Sequence, residues 1–187
     1  VEELEGPTRI QGGSLQPGDI IEYNLRLSNP SSAPVANAFI AEFIPPEVTY
    51  VAGSVRITSG TNAGAKTDAV RDDQVDYFPP TGGNNGQINI FVGAGAGNNR
   101  GGTLAPGDST TAVFRVTVNA NLPCNAVINN GADWGGDDFY AAGKSNVSSV
   151  TVTCLPDLTI TKQHSPNEFT RGQEGSFTLT AKNIGVA

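Results

Sequence analysis

Residues Pro17 to Asn29 read PGDIIEYNLRLSN, a turn followed by a run in which apolar and polar residues alternate. Alternation of this kind is typical of a β-strand that buries one of its faces. The pattern returns near the end of the chain, where Arg171 to Asn183 read RGQEGSFTLTAKN and align without a gap. The aligned pairs are Gly18 with Gly172, Tyr23 with Phe177, Leu25 with Leu179 and Asn29 with Asn183. The sequence therefore predicts one module and the opening of a second.

Short apolar runs rich in valine, isoleucine and threonine fill the region between these two stretches. Glycine and proline separate the runs, which is the punctuation expected of many short strands. Further strands are predicted at Val35 to Ile44, Thr49 to Ile57 with a bend at Gly53, Gln87 to Val92, Thr111 to Val118, Ala126 to Ala132 and Val147 to Thr153. Roughly seven or eight antiparallel strands predict an all-β protein built as a β-sandwich.

The length sets the domain organisation. A chain of 187 residues holds one domain of about 100–150 residues and a remainder. We predict that residues 1–155 form a complete sandwich and that residues 156–187 form a linker and the opening β-hairpin of a second module. Two strands without further partners leave backbone groups unpaired and one apolar face uncovered.

Several phrases of the sequence resemble the immunoglobulin-like repeats known as domain of unknown function eleven, which occur in tandem in bacterial and archaeal surface proteins. The phrases are PGDIIEYNLRLSN, FIPPEVTYVAGSV, GGTLAPGDSTTAVFRVTV, AVINNGADW and PDLTITKQHSPNEFTRGQEGSFTLTAKNIG. The resemblance implies an immunoglobulin-like sandwich, a prokaryotic source, an extracellular or cell-surface location and a stalk or matrix role. It implies no catalytic residues. Leu4 to Ser14 lacks the Asp-Leu-x-Ile-x-Lys opening that stands at Asp157 to Lys162.

The incomplete hairpin suggests a structural function. A neighbouring copy of the protein can complete it by β-strand addition, and repetition of that head-to-tail contact gives a filament. The residues expected to fill the hydrophobic positions are Leu158, Ile160, Phe177 and Leu179. Alternatively, the hairpin belongs to a longer stalk of tandem repeats, and adjacent repeats of the same chain complete it.

The two cysteines, Cys124 and Cys154, stand at the edges of the last predicted strand pair. If these strands pair antiparallel, the cysteines come opposite one another and a disulfide closes a loop of about 30 residues. Such a crosslink contributes roughly 3–4 kcal/mol in the chain-entropy picture and indicates an oxidising, extracytoplasmic compartment. Two buried free thiols are the alternative.

Charge and hydropathy exclude several partners. The formal net charge is −7, whereas nucleic-acid binding requires a basic face. No run approaches the roughly 20 apolar residues of a membrane span. We therefore expect neither nucleic acid as a partner nor direct insertion into a membrane.

The strongest candidate for a cofactor is calcium. Asp68, Asp72, Asp73 and Asp76 lie within nine residues of a predicted loop, and carboxylate oxygens are the ligands that Ca²⁺ prefers. The spacing is not that of an EF-hand. A solvated acidic loop without a metal is the plainer interpretation of this cluster.

The sequence does not favour catalysis. His164, the one histidine, stands in a predicted turn, and no carboxylate pair has a context that marks an acid and a base. Asn146-Val147-Ser148 matches the acceptor pattern for N-glycosylation, although such tripeptides arise often by chance.

A carbohydrate- or receptor-binding surface is the competing class of function. The glycine- and asparagine-rich loops at Thr81 to Gly86 and Ala94 to Gly102, together with Trp134, are its candidates. Trp134 is equally well explained as a core residue.

Overall fold

A computed structural model describes residues 14–137, 142–153, 156 and 158–184, together with the backbone of residues 2–9. These residues form sixteen strands and no helix. The strands are β1 (Glu2–Arg9), β2 (Ile20–Ser28), β3 (Val35–Phe43), β4 (Val48–Tyr50), β5 (Arg56–Ser59), β6 (Gly64–Ala65), β7 (Val75–Phe78), β8 (Gln87–Phe91), β9 (Gly102–Leu104), β10 (Ser109–Val118), β11 (Val127–Asn130), β12 (Ala132–Gly135), β13 (Ala142–Lys144), β14 (Ser148–Thr151), β15 (Leu158–Ser165) and β16 (Ser176–Asn183).

Two main sheets form a sandwich. The first has the order β1-β2-β10-β5-β6, with β4 also paired to β10. The second has the order β13-β12-β3-β8-β7, with β9 also paired to β3. The short strands β11 and β14 pair with each other, and all the ladders are antiparallel. The predicted all-β, immunoglobulin-like antiparallel sandwich is confirmed.

The core lies between the two sheets. From the first sheet, β2 and β10 place Tyr23 opposite Phe114, and the two fully buried rings stack at 5.3 Å. From the second sheet, β3 and β8 contribute Ile40, Ile88 and Ile90, which are also fully buried. The alternation in Pro17 to Asn29 therefore indicates the buried face of β2 correctly.

Two predicted strands are divided in the structure. The predicted strand at Thr49 to Ile57, with its bend at Gly53, is divided into β4 and β5 by a turn that includes Gly53 and is closed by a hydrogen bond from Ser54 N to Val51 O. The predicted strand at Ala126 to Ala132 crosses between two sheets. Its first part, β11, pairs with β14, and after Gly131 the chain continues as β12, which pairs with β3.

The N-terminal strand follows the repeat despite its divergent sequence. β1 pairs antiparallel with β2, with Leu4 opposite Leu25 and an irregularity between Glu5 and Thr8. β15 pairs with β16 in the same way at the other end of the chain, as a two-stranded sheet of its own. Among the described residues, none forms a helix that is long and apolar enough to span a bilayer.

Candidate assembly site

The C-terminal hairpin has two faces of opposite character. Eight residue pairs join β15 and β16, from Leu158 opposite Asn183 to Ser165 opposite Ser176. Alternate residues of a strand share a face, and so do directly opposite residues. One face, which we name the apolar face, carries Leu158, Ile160, Lys162, His164, Phe177, Leu179, Ala181 and Asn183. The other face carries Thr159, Thr161, Gln163, Ser165, Ser176, Thr178, Thr180 and Lys182.

The four predicted assembly residues lie together on the apolar face. Their exposed fractions are 74% for Leu158, 69% for Ile160, 57% for Phe177 and 63% for Leu179. Large apolar side chains that are mostly exposed and share one face mark an interaction surface. Their role in assembly stays a prediction.

Three residues that were not predicted as assembly residues, Lys162, His164 and Phe169, surround the ring of Phe177. The ring of Phe177 lies 5.6 Å from that of Phe169 and 6.1 Å from that of His164, and the Lys162 Nζ lies 4.4 Å from its centroid. An ammonium at this distance is attracted to the face of the ring. Strand alternation from Leu158 and Ile160 was a signal that could have placed Lys162 and His164 here, but His164 was predicted in a turn and instead lies in β15.

The hairpin repeats the start of the sandwich in geometry as well as in sequence. Gly18 and Gly172 have φ angles of +86° and +87°, a region that favours glycine. The turn before β2 has a hydrogen bond from Asp19 N to Gln16 O at 3.1 Å. Its counterpart from Gln173 N to Thr170 O is also 3.1 Å long. β16 is therefore the structural equivalent of β2, with each residue 154 positions further along.

The edges of the sandwich differ from those of the hairpin. β6 and β13 have two and three residues, β7 has four and is followed by Pro79-Pro80, and β1 contains Pro7 and three glutamates. Short strands, prolines and charges are the usual protection of a sheet edge against strand addition. β15 and β16 have eight residues each and contain no proline. The long open edges of the described structure thus belong to the hairpin.

The four aspartates of the predicted calcium site brace their loop separately. Asp68 accepts hydrogen bonds from the Tyr50 hydroxyl at 2.6 Å and from Gly53 N at 2.7 Å. Asp72 and Asp73 both bind Thr67, through its hydroxyl and its backbone N respectively. The buried Asp76 accepts a hydrogen bond from Arg71 N at 2.7 Å. Within the described part of the chain, no three acidic, histidine or cysteine side chains converge as metal ligands, and calcium binding stays a prediction.

The same loop perturbs nearby tyrosines. Burial raises the pKa of Tyr50, and its hydrogen bond to the Asp68 carboxylate raises this pKa further. Burial and the charge of Asp68 also raise the pKa of Tyr77, whose ring centroid lies 4.4 Å from that of Tyr50. The acidic loop is thus tied to the sandwich through Tyr50.

The structure describes one of the two cysteines of the predicted disulfide. Cys124 is disulfide-bonded, whereas Cys154 lies outside the described residues. The ladder places Val127 opposite Thr151, and Val152 N donates to Ala126 O at 2.8 Å. The pairing of the two cysteines stays a prediction.

Trp134 and two glycines of the competing binding surface serve the sandwich itself. Trp134 is half-buried, packs against the core and stands opposite Gly143 in the β12–β13 ladder. In the glycine-rich segment, a Cβ on Gly101 would lie 2.2 Å from the carbonyl carbon of Asn37. A Cβ on Gly102 would lie 2.4 Å from Ala94 O. These glycines allow backbone segments to touch.

The glycosylation tripeptide lies at the start of β14. Asn146 is exposed, and Ser148, which completes the acceptor pattern, is buried. Modification of Asn146 stays a prediction.

No protein-family model matches the chain, and no curated protein matches its sequence. The fold is similar to solved pilin and adhesin structures. Domains D2 and D3 of the major pilin SpaD from Corynebacterium diphtheriae match with a TM-score of 0.54 and 15% identity, over 87% of this chain and 54% of that one. The N-terminal domain of the Streptococcus gordonii adhesin Sgo0707 matches at 0.50 and 13%, over 81% and 32%. The RrgA Jo.In complex matches at 0.51 and 11%, over 79% and 77%.

The chain spans about half of the SpaD structure and about a third of the Sgo0707 structure. At such identities the likeness shows a shared fold. The resemblance to repeats of domain of unknown function eleven stays a prediction.

Proposed function

We propose that this protein is a non-enzymatic, extracellular structural subunit of a cell-surface filament or matrix. Its C-terminal hairpin joins one module to the next by β-strand addition, and its partners are other copies of itself. The observation that carries this proposal is the hairpin, which repeats the start of the sandwich and leaves its apolar face exposed. The solved structures with this fold include a major pilin and an adhesin, which supports a surface location.

The energetics favour a partner for the hairpin. Burying a large apolar side chain contributes about 1.5–3 kcal/mol, and the apolar face exposes four of them. Backbone hydrogen bonds to an added strand supply further affinity, and the alternating side chains fix its register. Because the hairpin and the surface that completes it lie at different places on the molecule, the contact is heterologous and propagates.

A second candidate is a stalk of tandem repeats. The matched turns at Gly18 and Gly172 support it, because the hairpin and the start of the sandwich share this turn geometry. In this case, strands of the same polypeptide complete the hairpin, and the protein is part of an adhesin stalk. A carbohydrate- or receptor-binding module is less well supported, because Trp134 and the glycine-rich segment serve the sandwich.

Electron microscopy and analytical ultracentrifugation of purified protein test the filament. We expect fibres from the unchanged chain and monomers from Leu179→Asp, which places a charge on the apolar face. Thr178→Asp, its neighbour on the polar face, is the matched control and should still assemble. A monomeric unchanged chain with a protease-resistant hairpin would contradict the filament. Mass spectrometry of the native protein tests the stalk, which is favoured if the polypeptide is much longer than 187 residues.

A further inference from the structure

We infer that the open edge of β16 accepts one particular kind of strand: an antiparallel strand with the pattern of β10, which places an aromatic residue opposite Phe177 and a small residue opposite Leu179. This strand comes from an incomplete immunoglobulin-like module, and the layer that accompanies it brings a carboxylate to Lys162. The inference rests on the second candidate under the proposed function, the stalk of tandem repeats, since it names the strand by which a module that is still incomplete covers the hairpin.

The register follows from the internal repeat. In the sandwich, β10 occupies the edge of β2 that β1 leaves open, with Phe114 opposite Tyr23 and Ala112 opposite Leu25. Phe177 and Leu179 are the equivalents of Tyr23 and Leu25, and β15 holds the place of β1. The remaining edge of β16 is therefore the equivalent of the edge that β10 occupies.

An aromatic pair equivalent to Tyr23 and Phe114 favours this register over the neighbouring ones. Tyr23 and Phe114 stack with an interplanar angle of 24°, and both are fully buried. Offset stacking of this kind adds to the free energy of simple burial. Phe177 is 57% exposed, and it lacks on the open edge of β16 the partner that Phe114 provides to Tyr23.

The charge on the apolar face further specifies the partner. Lys162 stands opposite Leu179, and the equivalent position in the complete module is occupied by Leu4, opposite Leu25. An ammonium on a face that becomes buried requires a counter-charge. In the sandwich, Glu42 lies on β3 in the opposing sheet, shares the core side of that strand with Ile40 and is fully buried. A carboxylate at the equivalent place in the second module would lie in the layer that covers Phe177, and the Lys162 ammonium lies over that ring.

A folded copy of the sandwich does not supply this strand. Its own β10 is paired to β2 on one side and to β4 and β5 on the other. Its edges are short or carry proline and charges. The occupant is therefore a strand that has not yet entered a sandwich.

Cysteine tethering under thiol exchange tests the register. The chain carries Thr178→Cys on the polar face, and three peptides spanning Asp108 to Asn119 carry Val113→Cys, Thr111→Cys or Arg115→Cys. Thr178 is the equivalent of Asn24, which stands opposite Val113, so that the other two peptides are two residues out of register. Mass spectrometry measures the yield of each mixed disulfide. We expect about threefold to tenfold more adduct with Val113→Cys, a factor that one aromatic pair supplies.

Two controls and one further peptide complete the experiment. A chain with Asn24→Cys should give little adduct, because β10 already occupies that edge. Adding Phe177→Ala to the Thr178→Cys chain should abolish the preference among the three peptides.

A peptide spanning Val35 to Ile44 supplies the opposing layer. It should raise the yield more than its Glu42→Gln version does, and equal yields would overturn the pairing with Lys162.

The outcomes separate this inference from the proposed function. Equal yields from the three peptides, or a Thr178→Cys homodimer as the main product, overturn the inference, since the homodimer shows a second hairpin as the occupant. The filament proposal survives that result if the unchanged chain still forms fibres. Selective tethering of Val113→Cys by a chain that forms no fibres supports the inference and removes the filament.

Discussion

Strands β2 and β16 have the same pattern and opposite surroundings. Tyr23 and Leu25 on β2 are fully buried, whereas Phe177 and Leu179 on β16 are 57% and 63% exposed. Each strand follows a turn with a glycine at a φ of +86° or +87°, and each pairs with a preceding strand. The local sequence thus determines the strand, its turn and its faces. Whether the apolar face of the strand is buried depends on the other strands that cover that face.

The largest expected difference concerns aromatic side chains. Phe114→Ala should destabilise the sandwich by about 3–5 kcal/mol, because it leaves a cavity beside the fully buried Tyr23. Phe177→Ala should leave the main unfolding transition almost unchanged. Chemical denaturation followed by the fluorescence of Trp134 measures both. Equal losses of stability would show that the hairpin is part of the sandwich core.

Alkaline pH should distinguish the two strands next. Burial raises the pKa of Tyr23, with contributions from Glu42 and Glu47, so the folded state holds this proton more tightly than the unfolded state. The resulting stability is fully present below a pH of about 10, the ordinary pKa of tyrosine, and is lost as the pH rises beyond it. The expected slope is about 1.4 kcal/mol per pH unit for each such tyrosine. Tyr50 contributes in the same sense.

Tyr23→Phe makes β2 resemble β16 at this position and should remove one such contribution to the alkaline slope. Denaturation curves at several pH values from about 9 to 11, a range that brackets the ordinary pKa of tyrosine, measure this slope. An unchanged slope in the variant would contradict the assigned role of Tyr23.

The matched turns provide a smaller effect. Gly18→Ala should cost the sandwich about 1–2 kcal/mol, because an L-residue is strained at a φ of +86° although nothing lies within 4 Å of the new Cβ. Gly172→Ala should cost the hairpin a similar amount while leaving the sandwich intact. Hydrogen exchange of the amides in β2 and β16 separates the two results. Unchanged protection of β16 in Gly172→Ala would contradict the equivalence of the turns.

The smallest difference concerns an ion pair on the outer face. Arg115 Nε lies 2.8 Å from Glu22 Oε2 across the β2–β10 ladder, and both side chains are partly exposed. Exposed pairs of this kind contribute about 0–1 kcal/mol. Glu22→Gln should therefore lower stability slightly, and less at high salt. Ser176 holds the equivalent position in β16. Ser176→Glu would therefore add the carboxylate that β16 lacks, and it should slightly favour an added strand that carries an arginine at the position of Arg115.

Pattern alone was enough to predict the sandwich and the faces of its long strands. Alternating residues predicted β2, β3, β8 and β10, and the aligned repeat placed Phe177 and Leu179 on one face. Tertiary contacts determined the remainder. β7 lies in a stretch rich in aspartate, glycine and proline that resembles a loop, and it forms because β8 offers it a partner.

The candidate sites were harder to predict because one residue type serves several purposes. Asp68 resembles a calcium ligand in sequence, and the structure uses its carboxylate as an acceptor for Tyr50 and Gly53. Lys162 resembles a charge at a strand edge, and its ammonium lies over the ring of Phe177. Sequence spacing does not show which donor or ring will lie within reach.

The glycine-rich segment from Gly93 to Gly102 has the composition of a flexible linker, in which substitutions and insertions are usually tolerated. Its contacts with Asn37, Ala38 and Thr103 lead to the opposite expectation, because an added Cβ at Gly93, Gly101 or Gly102 meets backbone within 2.7 Å. In a saturation mutagenesis map of the protein, the part of the chain with the simplest composition should therefore be among the least permissive.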